Sequence, residues 1–373
     1  MSEEFKTLFN VSCTRYRFLN NTVIFMHDLS LKGRIEYIDA MRGFTMLLVV
    51  LAHCGTYCMD QYDGNIYFRI CQAFRMPLFF FVSGFVFYKQ ERQCWNGQKI
   101  RSFLNKKIPV QILSPLLFML VYAYLNELNF IDGIKSPLKC GYWFTFTLFE
   151  FFLIYAITER IIYRLHAAKL CPPIIIHIIV ALAFLLIAHE RILDLIPYSG
   201  LVETLGIAQW HLYLYFIIGV IVRKYYTIYQ TLLDRSYLVL ISLLLFISLF
   251  LFEKYMNFPG GKYSSQVIKA ITGIVIVLSF FRKHESKLSQ NTKIGNILQF
   301  IGKRTLDIYL IHYFVLPKGL TPILSSIKDM NIPLIEFFIA AFLALVVVFV
   351  SLMISSVIRL SPTLAHYLFG QHK

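Results

Sequence analysis

YIDAMRGFTMLLVVLAHCGTYC, residues 37–58, reads as a membrane span with two ionisable side chains in register. Arg42 and His53 are eleven positions apart. At about 100° per residue that separation closes three turns with roughly 20° to spare, so both side chains share one helix face. They sit about 16 Å apart along the axis at roughly 1.5 Å of rise per residue. A charged or titratable group inside a span costs about 2.5–3.5 kcal/mol even on insertion scales, which makes this pair a functional candidate. Asp39 precedes Arg42 by three positions and can pair with it on the same face. Gly43, next to Arg42, has no Cβ and would let another backbone or a ligand come close.

The 373 residues around this stretch are 57% hydrophobic and only 15% charged, with a mean hydropathy of +0.62. Soluble domains carry about 25% charged residues, so the composition points to a polytopic membrane protein. Ten apolar stretches of spanning length are expected: 40–58, 70–88, 108–126, 142–159, 173–189, 205–222, 236–252, 266–281, 297–316 and 333–357. The fold class expected is therefore all-α, a helix bundle of about ten transmembrane helices. The formal charge of +15 is distributed by topology. Lys and Arg total 23 in alternate connecting segments and 8 in the others, the signature of the positive-inside rule. That distribution puts both termini in the cytoplasm and argues against a nucleic-acid partner.

Residues 1–33 form an N-terminal cytoplasmic segment. Glu3 and Glu4 and the lack of a continuous apolar run exclude a signal peptide, and Met26 is a second candidate start. The membrane domain is expected over 34–360, followed by a cytoplasmic tail at 361–373 with no soluble domain appended. Pro259-Gly260-Gly261 marks an outer turn. Seven cysteines form no Cys-x-x-Cys pair, so neither a redox motif nor a metal site is expected. Cys54 and Cys58, one helical turn apart, read as small apolar residues.

Three further stretches carry polar groups into apolar surroundings. FRMPLFFFVSGFVF, residues 74–87, sets Arg75 near the outer interface in the depth range of His53. Ser83-Gly84 in the same stretch serves helix packing or a ligand. IGKRTLDIYLIHYFVLP, residues 301–317, has Tyr309 and His312 three apart on one face. GYWFTFTLFEFF, residues 141–152, holds Glu150 in mid-span, where a carboxylate must face the bundle interior. His177, His189 and His211 read as core or interfacial residues.

In combination these blocks resemble the acyltransferase-3 family of integral membrane acyltransferases. Arg42, ten intervening residues and His53 are similar to its R-x10-H signature. Asp39 with Arg42-Gly43 resembles its D-x-x-R-G block. Arg75 to Gly84 is similar to its R-x-P-x-F-F-x-x-S-G helix, Trp143-Phe144 to its Trp-Phe pair, and Gly302 to His312 to its late G-x-x-S/T-x-x-I-Y-L-x-H helix. The family's R-x-x-R pair before the third span is missing. NKKIPVQILSP stands there, with Lys106, Lys107 and Gln111, and lysine lacks the planar fork of arginine.

The resemblance implies transfer of an acyl group, acetyl from acetyl-CoA in the usual case, to a hydroxyl of a carbohydrate or glycolipid. The bacterial inner membrane is the implied location. Acyl-CoA is then a co-substrate, no cofactor is tightly bound, and the remaining partners are the acceptor and membrane lipids. His53, Arg42 and Asp39 become the catalytic group. Arg42, Arg34, Lys106 and Lys107 become the donor-binding cations. Arg75, Ser83, Trp143, Tyr309 and His312 become acceptor-binding or oxyanion residues. The competing readings are a transporter or flippase for a polar or lipid-linked substrate, and a scaffold without chemistry.

Overall fold

The computed structural model describes residues 34–59, 65–88, 95, 97–165, 172–188, 199–255, 261–320 and 332–370. The expectations for 1–33, Met26, His189 and Gly260 lie outside the described residues. All regular structure among them is helical. The helices are α1 (Glu36–Met59), α2 (Ile66–Phe87), α3 (Gly97–Ile108), α4 (Ser114–Leu125), α5 (Phe130–Lys135), α6 (Trp143–Arg164), α7 (Pro173–Ile187) and α8 (Ser199–Leu205). They continue as α9 (Tyr213–Lys224), α10 (Tyr226–Leu233), α11 (Ser236–Leu251), α12 (Gly261–Lys283), α13 (Lys293–Lys303), α14 (Thr305–Val315), α15 (Pro333–Ile358) and α16 (Pro362–Phe369).

Each of the ten expected stretches is largely helical, but they are not ten uniform spans. Six helical runs are long and apolar enough to cross a bilayer: Glu36–Met59, Ile66–Phe87, Gly97–Leu125, Val202–Lys224, Gly261–Lys283 and Pro333–Ile358. The α10–α11 pair, bent by 75°, makes a seventh if it counts as one span. The others depart for readable reasons. Helix α6 carries Glu150, Glu159 and Arg160. Helix α7 has 15 residues. The stretch 297–316 breaks at Arg304, whose φ of −115° and ψ of 24° leave the helical region and divide α13 from α14. The long run Gly97–Leu125 contains a π-turn at Pro109–Leu113, where Pro109 and Pro115 supply no backbone N–H.

Side-chain burial follows the membrane pattern, in which small residues line helix contacts and large apolar ones face out. Helix α15 exposes Phe338, Phe342 and Phe349 and buries Ala340, Ala344, Ser351 and Ser355. Two glycine pairs bring backbones into contact. A Cβ on Gly43 would lie 2.0 Å from the Leu298 carbonyl oxygen, and one on Gly302 would lie 1.9 Å from that of Asp39. The same reciprocal arrangement joins Gly84 to Phe216 and Gly219 to Phe81, each at 2.0 Å. Helices α1 and α13, and α2 and α9, therefore cross at backbone distance.

Polar links fasten the helix ends. Asn65 accepts from the Tyr67 N–H at 2.9 Å, capping α2, and donates to the Pro333 carbonyl at 2.8 Å and Glu336 at 2.9 Å, tying α2 to the start of α15. Arg282 grips Asp234 through two bonds of 2.8 Å. Asp307, 1% exposed, accepts a fork from Arg359 at 2.7 and 3.0 Å and a hydroxyl from Ser355 at 2.5 Å. Asp307→Ala removes the carboxylate from a guanidinium that stays largely covered. The expected loss is about 3–5 kcal/mol, the range for breaking a buried ion pair on one side. Thermal aggregation of the detergent-solubilised protein reads it out, and a melting point equal to wild type would refute it.

Candidate active site

The α1 stripe carries the expected pair. Arg42 and His53 project from one face of an unbroken helix, and Gly43 proves to be the close-approach glycine, with α13 as the neighbour it admits. Asp39 is 4% exposed and lies between two cations. Arg34 bonds it from outside the helix, and Arg42 Nη1 stands 3.5 Å from Oδ1. Arg42 Nη2 also donates to Thr305 Oγ1 at 3.2 Å, across the break between α13 and α14. The guanidinium is thus aimed by a carboxylate on its own helix and a hydroxyl on another, which leaves part of its donor fork for a ligand.

Two separate cavities flank the stripe. The smaller, about 100 Å³, is lined by Arg42, Ser83, Gln111, Thr145, Thr305 and Tyr309, with Phe79, Phe144 and Leu148 as its apolar wall. Gln111 reaches it from the π-turn, and its Oε1 is buried without a partner among the described residues. The larger cavity, about 560 Å³, contains His53, Tyr57, Arg75, Trp143, His211 and Tyr313. Its volume lies within the usual range for small-molecule sites, about 300–1,000 Å³.

One peptide group joins tyrosines that line the two. The Gly141 carbonyl accepts the hydroxyl of Tyr309 at 2.9 Å and of Tyr313 at 3.3 Å. The first tyrosine faces the Arg42 cavity and the second the His53 cavity. The tyrosines are four apart on α14, hence one above the other. Gly141 has a φ of +98°, and a Cβ there would collide with the Tyr313 ring at 2.3 Å. Lys139 and Cys140 before it also have positive φ, 46° and 51°. Such residues cost about 1–3 kcal/mol each and persist where surroundings hold them. Here the holder is the buried Lys139 ammonium, which donates to the carbonyls of Ile134 at 2.9 Å and Thr204 at 2.7 Å. Burial lowers that lysine's pKa.

His53 Nε2 lies 3.2 Å from the Tyr313 hydroxyl, which has one proton to divide between His53 and Gly141. The His53 ring is 5.2 Å from that of His312, centre to centre. His312 is fully buried, and its Nδ1 faces the carbonyls of Ile308 at 3.0 Å and Tyr309 at 2.8 Å. That contact puts the proton on Nδ1 and leaves Nε2 as an acceptor, with no partner among the described residues. In that tautomer His312 can take a proton or a hydroxyl, and it cannot donate to an oxyanion.

The structure divides the expected residues into three groups. Arg42, Ser83 and Tyr309 share the small cavity, while His53, Arg75 and Trp143 share the large one. Arg34, Asp39, Lys106, Lys107 and His312 line neither. Lys106 lines a surface groove of about 570 Å³ with Arg101 and His366, and Lys107 lies 5.3 Å over the Phe152 ring. Glu150 faces the bundle interior as expected and accepts the Trp210 indole N–H at 2.9 Å. His177 pairs with Glu159 at 2.9 Å and stacks on Tyr155, away from both cavities. Cys54, Cys58, Cys71 and Cys140 are free thiols, and no group of three or more metal-ligating side chains occurs among the described residues.

Sequence reasoning missed Tyr313, Thr305, Gly141 and the trio Arg69, Glu253 and Lys269 at the rim of the large cavity. Tyr313 was available as the residue four beyond Tyr309, and Lys269 as a lysine inside the apolar stretch 266–281.

An established family, the Acyltransferase domain of the acyltransferase-3 group, matches residues 35–355. No curated protein and no solved structure matches the chain. The matched residues run from Ile35, just before α1, to Ser355 beside Asp307, so they include the Arg42–His53 stripe and the lining of both cavities. With its long apolar helices and this nearly full-length match, the chain is a multi-pass integral membrane protein and belongs to the acyltransferase-3 family.

Proposed function

We propose that the chain moves an acyl group, acetyl in the first instance, from a CoA thioester to a hydroxyl of a carbohydrate or glycolipid in the bacterial inner membrane. The observation that supports this most directly is the pair of cavities on one helix stripe. A cation lies in one and an imidazole in the other, and tyrosines lining each bond the same Gly141 carbonyl. Arg42 is suited to a phosphate or to the thioester carbonyl of a donor arriving from the side where α1 begins. His53 is suited to act on a hydroxyl in the larger cavity, because a neutral imidazole nitrogen can take the proton of an attacking hydroxyl.

The reaction balances without an added reagent. The acceptor hydroxyl oxygen attacks the thioester carbonyl, its proton passes to His53, and an O–C bond forms. The C–S bond then breaks and the proton goes to the departing thiolate, giving an ester and free CoA thiol. Arg75 and Trp143 share the cavity with His53 and are the groups available to hold a sugar ring or its developing negative charge. His312, with its free Nε2, is available to relay the proton. An acyl-histidine on His53 is the two-step variant of the same chemistry.

Membranes carrying the full chain and radiolabelled acetyl-CoA test the reading. The expected result is label in the glycan fraction with release of CoA thiol. Arg42→Ala should weaken donor use by about tenfold or more, as for loss of a charge-assisted contact to an anion. Label in no fraction, from inserted protein that also fails to bind CoA, would reject acyl transfer from CoA and favour movement of a lipid-linked substrate.

A further inference from the structure

The smaller cavity contains a polar group that the transfer step leaves unused. Gln111 is 8% exposed, and its Oε1 is buried with no hydrogen-bond partner among the described residues. The large majority of buried side-chain polar atoms are paired, so an orphan acceptor calls for an explanation. Hydroxyls in the same lining are already engaged. Ser83 donates to the Phe79 carbonyl at 2.8 Å, Thr145 to that of Tyr142 at 3.1 Å and Tyr309 to that of Gly141 at 2.9 Å. Arg42 donates to Thr305 at 3.2 Å and stands 3.5 Å from Asp39.

The backbone is shaped to bring Gln111 here. It is the middle residue of the π-turn Pro109–Leu113, and single π-turns recur at functional sites. The cavity it lines measures about 100 Å³, with Phe79, Val82, Phe144, Leu148 and Leu306 as apolar wall. A benzene ring is taken up by a cavity of roughly 150 Å³, so a sugar ring does not fit. A slender, mostly apolar chain does fit, provided it brings an N–H to the orphan oxygen. The arm that joins the phosphates of CoA to its sulfur has that make-up, short methylene runs broken by amides. A primary amide facing a secondary one can pair through either of its ends.

We propose that Gln111 recognises the donor, its side-chain amide pairing with an amide of the CoA arm as the arm passes Arg42. The inference rests on the acyl-transfer reading above and adds a binding residue to it. Donor recognition then has two parts, charge at Arg42 and an amide at Gln111. The alternative is a bound water that satisfies Oε1, which would not distinguish one donor from another.

Binding of radiolabelled acetyl-CoA to the detergent-purified full chain provides the test, because it needs no acceptor. Two thioesters of equal length compete for the site. S-acetyl-N-acetylcysteamine keeps an amide of the arm, and S-pentyl thioacetate replaces it with methylenes. The preference for the amide compound over the alkyl one should fall roughly threefold to tenfold in Gln111→Leu, the contribution of one neutral hydrogen bond. The preference is a ratio within each protein, so a general loosening of the bundle, or uptake of the alkyl compound by micelles, cancels from the comparison. If Gln111→Leu does not insert, Gln111→Met carries the same comparison.

A preference unchanged by the substitution, or no displacement of acetyl-CoA by either compound, overturns the inference and leaves acyl transfer standing. Absence of acetyl-CoA binding by the folded wild-type protein overturns both.

Discussion

His53→Ala membranes are expected to lose acyl transfer by about a hundredfold to ten-thousandfold, the range supplied by a positioned general base. The substitution removes the imidazole that α1 contributes to the 560 Å³ cavity, which His211 lines from another segment. Among the described residues its direct polar contact is the 3.2 Å approach to Tyr313, and the amount of inserted variant is measured beside its activity. His312 cannot replace it, since its Nδ1 is engaged by backbone carbonyls and its ring lies outside the cavity lining. Tyr313→Phe leaves the imidazole in place and removes only its hydroxyl partner, so its deficit should be much smaller. CoA-thiol release and label transfer, normalised to inserted protein, measure both variants. Full transfer by His53→Ala would remove His53 from the chemistry.

Gly302→Val should cost the bundle more than the roughly 1–3 kcal/mol of ordinary overpacking. A Cβ at this position would sit 1.9 Å from the Asp39 carbonyl oxygen and 3.1 Å from the Gly43 nitrogen. Both are backbone atoms on a packed helix, so no side chain can turn aside to make room. Helices α1 and α13 must separate, and Asp39 and Arg42 move with α1. Activity and stability should therefore fall together. Gly319→Ala is the matched control, because nothing lies within 4 Å of a Cβ there. Its effect should stay within about 0.5 kcal/mol, as for an open surface position. Monodispersity after heating in detergent compares the two, and a Gly302→Val protein that melts with the control would show that the crossing is not tight.

The helical membrane class and the stripe from Arg42 to His53 were legible in the chain because both depend on local spacing. Hydropathy over twenty residues and a 3.6-residue period need no knowledge of neighbours. The breaks were harder. Arg304 looks like one more basic residue at a span boundary, and its departure from helical φ and ψ leaves no mark in hydropathy. The distribution of the site over two cavities was not legible at all. Trp143 opens α6 and Tyr309 lies midway along α14, and which cavity each lines depends on how those helices pack, which local spacing does not carry. The lysines at 106 and 107 illustrate the reverse case. Their charge and position near the third span suggested a role beside Arg42, yet the side chain that reaches that cavity from their segment is Gln111. A π-turn shifts the helix face at this point, which a regular 3.6-residue count does not anticipate.

The peptide group of Gly141, gripped by two phenols, has a consequence for the cell's energy supply. A catalyst that admits one substrate from each side of a bilayer runs the risk of becoming a wire. Each elementary charge that leaks across is worth about 2.3 kcal/mol per 100 mV of membrane potential. Joining the two cavities would give protons a chain of imidazole and phenol groups to follow. Tyr309 gives its proton to the Gly141 carbonyl and Tyr313 divides its own between that carbonyl and His53, so a fixed peptide oxygen with no proton to pass on stands in the row of phenols.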